Sequence, residues 1–201
     1  PHLSEYLPGR WQGREWLSGF TGSAGTLVVT RDQAVLFADS RYWAQAEAQL
    51  AGSGITLEKM NSGAATIYID WTANALQPGE TLAVDGQVLG LSLANALRAG
   101  LARKGVKLRT DADLLAAAWD DRPGLPTEAV YEHLPPQAAV ARTDKLARVR
   151  AAMAGVGASH HLVSTVDDVA WLLNLRGADV ECNPVFIAHL LLDAQGGRLF
   201  I

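Results

Sequence analysis

Gly19-Phe20-Thr21-Gly22-Ser23-Ala24-Gly25-Thr26-Leu27-Val28-Val29-Thr30-Arg31-Asp32-Gln33-Ala34-Val35-Leu36-Phe37-Ala38 is the stretch on which the fold turns. Two apolar runs, Thr26 to Thr30 and Ala34 to Ala38, flank Arg31-Asp32-Gln33. That pattern predicts a buried hairpin. Upstream, Leu7 to Leu17 is mostly polar, with Trp11, Trp16 and then Phe20 spaced as one face of a short amphipathic helix ending at Gly19. Downstream, Asp39 or Ser40 is placed to cap a helix bearing Trp43, Ala46 and Leu50, closed by Gly52.

Farther along, strands and helices alternate. Ile55 to Lys59, Thr81 to Asp85 and Val106 to Arg109 read as strands. Thr66 to Leu76 reads as a helix, and Leu93, Leu97 and Leu101 mark another, capped by Ser92 and followed by Gly105. Asp111 is the expected cap of a last short helix towards Trp119. Alternation of this kind predicts an α/β domain, and the opening hairpin makes its sheet mixed, flanked by helices. Pro123, Gly124, Pro126, Pro135 and Pro136 then cluster. Proline lacks an amide donor and fixes φ, so residues 123–137 read as a linker between a domain at 1–122 and a second at 138–201.

In the second part, Leu146, Val149, Met153 and Val156 mark a helix, and His161 to Thr165 a strand. Thr165-Val166-Asp167-Asp168 has the form of a capping box opening a helix through Trp171 and Leu172. Val185 to Asp193 and Gly197 to Ile201 read as a hairpin around Gln195-Gly196. Trp16-Leu17 with Phe20 and Gly22 is echoed by Trp171-Leu172 with Leu175 and Gly177, each followed by an apolar hairpin. The echo points to two related domains. The chain opens on Pro1 rather than Met and closes on a strand pattern, so both ends are expected to continue in the natural protein.

Composition narrows the function. Seventeen basic and twenty-one acidic residues give a formal charge of −4. An acidic surface is a poor partner for nucleic acid or an anionic membrane. No run approaches the ~20 apolar residues needed to span a bilayer. The single Cys182 cannot form an internal disulfide, which fits a reducing compartment.

Few segments carry chemistry. The glycine-rich loop at 19–25 sits between a helix and a strand, the reverse of the order that aims a helix N-terminus at phosphate, so it reads as a tight connection. His2, His133, His160, His161 and His189 form no zinc-like spacing, and His160 and His161, adjacent on a strand, face opposite ways. No catalytic or metal-ligating residue is assigned. Asp39-Ser40-Arg41-Tyr42 sits at a strand end, where α/β folds bind ligands. The residues alone favour a capping Asp39 with Arg41 paired on the surface; a fork presented to a peptide is the alternative. The polar loop from Arg176 to Pro184 reads as a connector, and the six tryptophans as core residues.

Ser4-Glu5-Tyr6-Leu7-Pro8, the run Trp16 to Thr26, Asp39-Ser40-Arg41-Tyr42 with Gln45-Ala46, and Trp119-Asp120-Asp121-Arg122-Pro123 resemble the first domain of Xaa-Pro aminopeptidases. Val169 to Leu172, Asn174 to Gly177, Asp179-Val180 and Asn183 to Phe186 resemble the second. The resemblance implies two creatinase/prolidase N-terminal-like α/β domains, the second incomplete, from a cytoplasmic, homodimeric enzyme. Such an enzyme removes the N-terminal residue from peptides with proline second. It also implies that two manganese ions lie in a catalytic domain absent from this chain, leaving this region to shape the cleft and the dimer. The family's Arg at the position of Arg41 contacts the peptide, which reverses the surface reading of Arg41. Ser40 stands where the family usually has Gly, and the family's opening strand, before Ser4, is expected to be absent or reduced to Pro1 to Leu3. The competing readings are a stand-alone binding or assembly module, and the front of a prolidase or creatinase-like amidinohydrolase.

Overall fold

The computed structural model describes residues 4–61 and 66–201. Pro1 to Leu3, the segment to which the opening strand is expected to be reduced if present at all, lie outside the described residues, and His2 with them. The described chain divides into two compact units: Gln12–Arg122, and residues 4–11 with Pro123–Ile201.

The first unit is organised by its hairpin. β1 (Thr26–Val29) pairs antiparallel with β2 (Ala34–Asp39), from Thr26 opposite Phe37 to Val29 opposite Ala34. The Thr30 hydroxyl accepts from the Gln33 amide at 3.2 Å and closes the turn. β3 (Ile55–Met60) lies parallel to β2, reached through α2 (Trp43–Gln49). Both faces of β2 are covered. Leu36 and Ala38 pack with Phe20, Ala46 and Leu50; Val35 and Phe37 pack with Val28 and with Tyr68 and Trp71 of α3 (Ile67–Ala75). A strand buried on both faces needs an unbroken apolar run, which is what Ala34 to Ala38 supplies. Beside this sheet, β4 (Thr81–Ala83) and β5 (Lys107–Arg109) pair in parallel around α4 (Leu91–Ala102). Leu97 and Leu101 of α4 are buried against Ile69 and Ala73.

Several expected helix boundaries shift. The opening helix is only α1 (Gly13–Ser18); Gly9–Trp11 is a 3₁₀ turn in which Trp11 donates to the Pro8 carbonyl. Proline and glycine at 8 and 9 are poor helix formers, so the regular helix starts late. Asp39 does not cap α2: it ends β2, and Tyr42 takes the cap position with no side-chain bond. Ser92 lies inside α4, whose cap is Gly90. Asp111 pairs with Arg109, while Asp113 accepts from the amides of Leu115 and Ala116 at the start of α5 (Leu115–Ala118). A polar residue caps only where it directly precedes the first helical turn, and each shift of one or two residues reassigns it.

The second unit holds α6 (Arg142–Gly155), β7 (His160–Val163), α7 (Val166–Leu173), β9 (His189–Asp193) and β10 (Gly197–Phe200). Its three-stranded sheet is antiparallel, in the order β10-β9-β7. A second pair joins β6 (Tyr131–Glu132) to β8 (Leu175–Arg176), so the proline-rich stretch expected as linker contributes a strand. Thr165 precedes α7 but makes no capping bond, so the expected box does not form. Val185, Phe186 and Ala188 are buried but lie outside the hairpin strands, because the Asp179 carboxylate holds the Ile187 amide at 2.7 Å in a loop closed on itself. Val156 falls beyond α6 and is 81% exposed instead of core-facing. The tryptophans depart from the core reading too: Trp119 is buried, but Trp16 and Trp171 are 40% and 53% exposed.

Lys145 of α6 is only 5% exposed. Its ammonium donates to the Trp171 carbonyl at 2.7 Å and to Asn174 Oδ1 at 2.6 Å, and stands 4.1 Å from the Trp171 ring centre. Burial pushes its pKa down, and the charge of Arg176 adds to the effect. The cation thus closes the C-terminal turn of α7, where the last carbonyls lack helical partners. Lys145→Met keeps the side-chain length but strips Asn174 Oδ1 of its donor and leaves the Trp171 carbonyl only the Asn174 amide at 3.3 Å. It is expected to destabilise this unit by about 1–3 kcal/mol, read as a lower urea midpoint at unchanged slope. An unchanged midpoint refutes the clamp.

Candidate functional site at the end of strand β2

The candidate site forms where β2 leaves the sheet. Trp43 Nε1 donates to the Ala38 carbonyl at 2.9 Å, and the Tyr42 amide to the Asp39 carbonyl at 3.0 Å, so the segment 38–43 is a closed turn. Arg41 projects from it. Its Nε and Nη2 donate to the two oxygens of Asp39 at 3.0 and 2.8 Å, and its amide reaches Oδ1 at 3.1 Å. The Arg41 side chain remains 65% exposed. Its guanidinium carbon stands 5.2 Å from the Tyr42 ring centre. The structure therefore gives Arg41 the surface pairing expected from its residues, and presents the paired fork at the strand edge.

The glycine-rich loop lies beside this turn. Ser23 Oγ is 2.7 Å from the Tyr42 phenol oxygen. Gln45 and Gln49 of α2 both donate to Thr21 Oγ1, at 2.8 and 2.9 Å. Gly22 is required by space, since a Cβ there would stand 2.2 Å from Phe20 Cζ and 2.8 Å from Tyr42 Cδ1. Arg14 Nη1 donates to the Gly25 carbonyl at 2.8 Å and Nη2 to the Gly22 carbonyl. The loop's carbonyls are taken by this chain's own arginine, so the tight-connection reading accounts for the geometry. Sequence reasoning missed Arg14, whose one signal is its place in the helix just ahead of a loop rich in unpaired carbonyls. It missed the Ser23–Tyr42 contact as well.

The remaining sequence candidates do not converge. His160 pairs across the sheet with Asp193 and His161 with Leu192, and the two rings belong to no common site. Cys182 is exposed, at φ 58, in the loop after α7. Among the described residues no group of three His, Cys, Asp or Glu is placed to hold a metal ion. The donor set that a metal pair requires is not assembled from these side chains, and the resemblance places that pair in a domain outside this chain.

Residues 10–116 match the family model described as Creatinase/Prolidase N-terminal domain, and residues 121–201 match a second model of the same description. The chain belongs to the creatinase/prolidase N-terminal domain family. The family's mixed α/β architecture accordingly occurs here in two domains. Over the whole chain it is similar to Aminopeptidase P2 of Arabidopsis thaliana, 36% identical and covering 28% of that protein. It is likewise similar to Xaa-Pro aminopeptidase 1 of Dictyostelium discoideum, 30% identical and covering 33% of it. The crystal structure of an X-prolyl aminopeptidase from Caenorhabditis elegans, described as a cytosolic enzyme with a di-nuclear active site, superposes with a TM-score of 0.87 at 28% identity. That match covers 98% of this chain and 32% of the other. The chain thus spans about a third of the length of these relatives. No helix among the described residues is long and apolar enough to cross a membrane.

The Asp39 carboxyl is held below its usual range, chiefly by the Arg41 side-chain bonds, against an upward push from burial and with help from the Arg41 amide and charge. A carboxyl whose folded pKa is lowered contributes stability above its unfolded value of about 3.9, and loses it as pH falls through the folded value. Arg41→Ala is expected to move the Asp39 midpoint upward while leaving that of Asp193, which is lowered first by the Gln195 and Gly196 amides, in place. Carboxyl-resolved NMR titration reads both; an unmoved Asp39 contradicts the pairing.

Proposed function

We propose that this chain is the non-catalytic N-terminal region of a metal-dependent Xaa-Pro aminopeptidase, and that it shapes the substrate cleft and the dimer of the complete enzyme. One observation carries the reading. Nearly the whole chain superposes on about a third of an X-prolyl aminopeptidase, yet no metal-donor group is assembled among its described residues. A hydrolase that works through a metal pair needs carboxylate and imidazole ligands converging on both ions, so the chemistry belongs to the remaining two thirds.

In this reading the peptide has proline second, the metal pair is manganese, and the enzyme is a cytoplasmic homodimer. Residues 1–122 and 138–201 act as the two related domains, with 123–137 joining them. Arg41 is the substrate-binding residue. A guanidinium fixed by a carboxylate but two-thirds exposed can still accept a peptide carbonyl or carboxylate as a further partner. Asp39 lowers the net charge of the pair, so recognition relies on direction more than on field.

Two measurements test the proposal. The 201-residue chain, incubated with manganese and an Xaa-Pro-Pro peptide, is expected to give no turnover; reproducible hydrolysis by clean protein ends the reading. In the full-length protein, Arg41→Ala is expected to lower kcat/KM for that peptide by roughly 10- to 100-fold, the loss of a charged hydrogen bond of about 1.5–3 kcal/mol, with the fold kept as read by circular dichroism. Wild-type kinetics would remove Arg41 from the site.

A further inference from the structure

We propose that Tyr42 is a positioning residue, which together with Asp39 sets the plane in which the Arg41 guanidinium meets a peptide. The inference rests on the reading of Arg41 as a substrate contact.

The geometry begins with what a carboxylate fork leaves open. The paired bonds from Arg41 Nε and Nη2 to Asp39 fix the guanidinium within the carboxylate plane. They leave it able to hinge out of that plane, because both bonds lie on one edge. A surface below the guanidinium removes this freedom, and the Tyr42 ring lies 5.2 Å from its central carbon. The negative face of an aromatic ring attracts the cation and favours contact with that face.

The ring is itself held on three sides. It meets Phe20 edge-on, with centres 5.9 Å apart and planes at 88°, and Phe20 is fully buried. It occupies the space that Gly22 leaves, where a Cβ would come within 2.8 Å of Cδ1. Its phenol oxygen is 2.7 Å from Ser23 Oγ. Tyr42 stands at the N-cap of α2, yet its side chain makes no bond to the helix. Capping therefore does not explain the residue. Contact with Phe20 asks only for an apolar group, whereas the contact with Arg41 asks for a π face.

Orienting an exposed arginine before binding removes an ordering cost of about 0.5–1.5 kcal/mol per side chain, equivalent to about 2- to 10-fold in affinity. The expectation is a binding effect without a chemical one. In the full-length protein, Tyr42→Leu raises KM for an Xaa-Pro-Pro peptide by about 2- to 10-fold at unchanged kcat. Tyr42→Phe, which keeps the ring, restores most of the loss. In an Arg41→Ala background Tyr42→Leu adds nothing further. Tyr42→Met fills the same space without a ring and gives the same KM increase, so the question stays decidable if the leucine variant does not fold. The proposal is overturned if Arg41→Ala weakens peptide use while the ring-deleting variants behave as wild type, or if the two substitutions act additively. Should Arg41→Ala itself change nothing, the substrate reading fails first and takes this inference with it.

Discussion

Arg14 is the residue on which the first unit's functional edge depends. The loop between α1 and β1 exposes carbonyls that no strand pairs, and Arg14 supplies donors to those of Gly22 and Gly25. The same guanidinium lies 5.4 Å from the Phe20 ring centre. Its planar fork of donors suits two carbonyls from one loop better than an ammonium on a single point would. The arrangement has a cost. Burial pulls the Arg14 pKa down, against the opposing charge of Glu15, and Nε is buried without a hydrogen-bond partner. Fixing the loop fixes Phe20 in the core, Gly22 beside it and Ser23 against Tyr42. The presentation of Arg41 follows from that sequence of contacts.

The second unit meets the same structural problem with different side chains. In each unit a short helix bearing Trp-Leu ends on a left-handed residue, Gly19 at φ 69 and Asn174 at φ 51. In each a glycine three residues later lies too close to an aromatic for any side chain: Gly22 to Phe20, and Gly177 to Phe186, where a Cβ would come within 2.6 Å of the Phe186 Cβ. A left-handed asparagine is tolerated because its short amide can bond locally. Here the amide also donates to the Val140 carbonyl at 2.9 Å, while Lys145 serves its oxygen. Two units with matched helix ends and glycines but different cations, Arg14 and Lys145, are what duplication followed by independent repacking produces.

The hairpins, the parallel crossover and the core face of α4 were legible because each follows from apolar periodicity, which reports burial directly. The caps were less legible. Asp39, Ser92 and Asp111 have the right chemistry for a helix start, but competing partners or a small shift redirected them, and Thr165 holds the cap position of α7 without making the bond. Asp39 is the instructive case, since the residue that removes it from capping duty is Arg41, two positions on. The tryptophans misled for a related reason. A large ring at a helical position reads as core, yet Trp16 stacks on Trp119 with centres 4.9 Å apart and stays 40% exposed, and Trp171 covers Lys145 from the outside. Such pairings join residues distant in sequence, and no local pattern announces them.

The charges of the described residues are arranged in separate pairs rather than in one cluster. Arg14 and Lys145 spend their charges on backbone and amide oxygens. The exposed arginines instead take up carboxylates close at hand: Arg41 with Asp39, Arg109 with Asp111 and Arg103 with Asp70. Arg122, nearly buried, pairs with Asp113, whose carboxyl is pushed up by burial but held low on balance by Arg122 and the amides of Ala116 and Leu115. Each of these carboxylates is engaged singly, two of them by an arginine two residues away and the others by one more distant in sequence. Convergence of several unpaired carboxylates requires a fold that tolerates their mutual repulsion until metal binds. Among the described residues these ion pairs hold their acids apart from one another, and the Arg41 fork is presented beside Asp39 at the edge of β2.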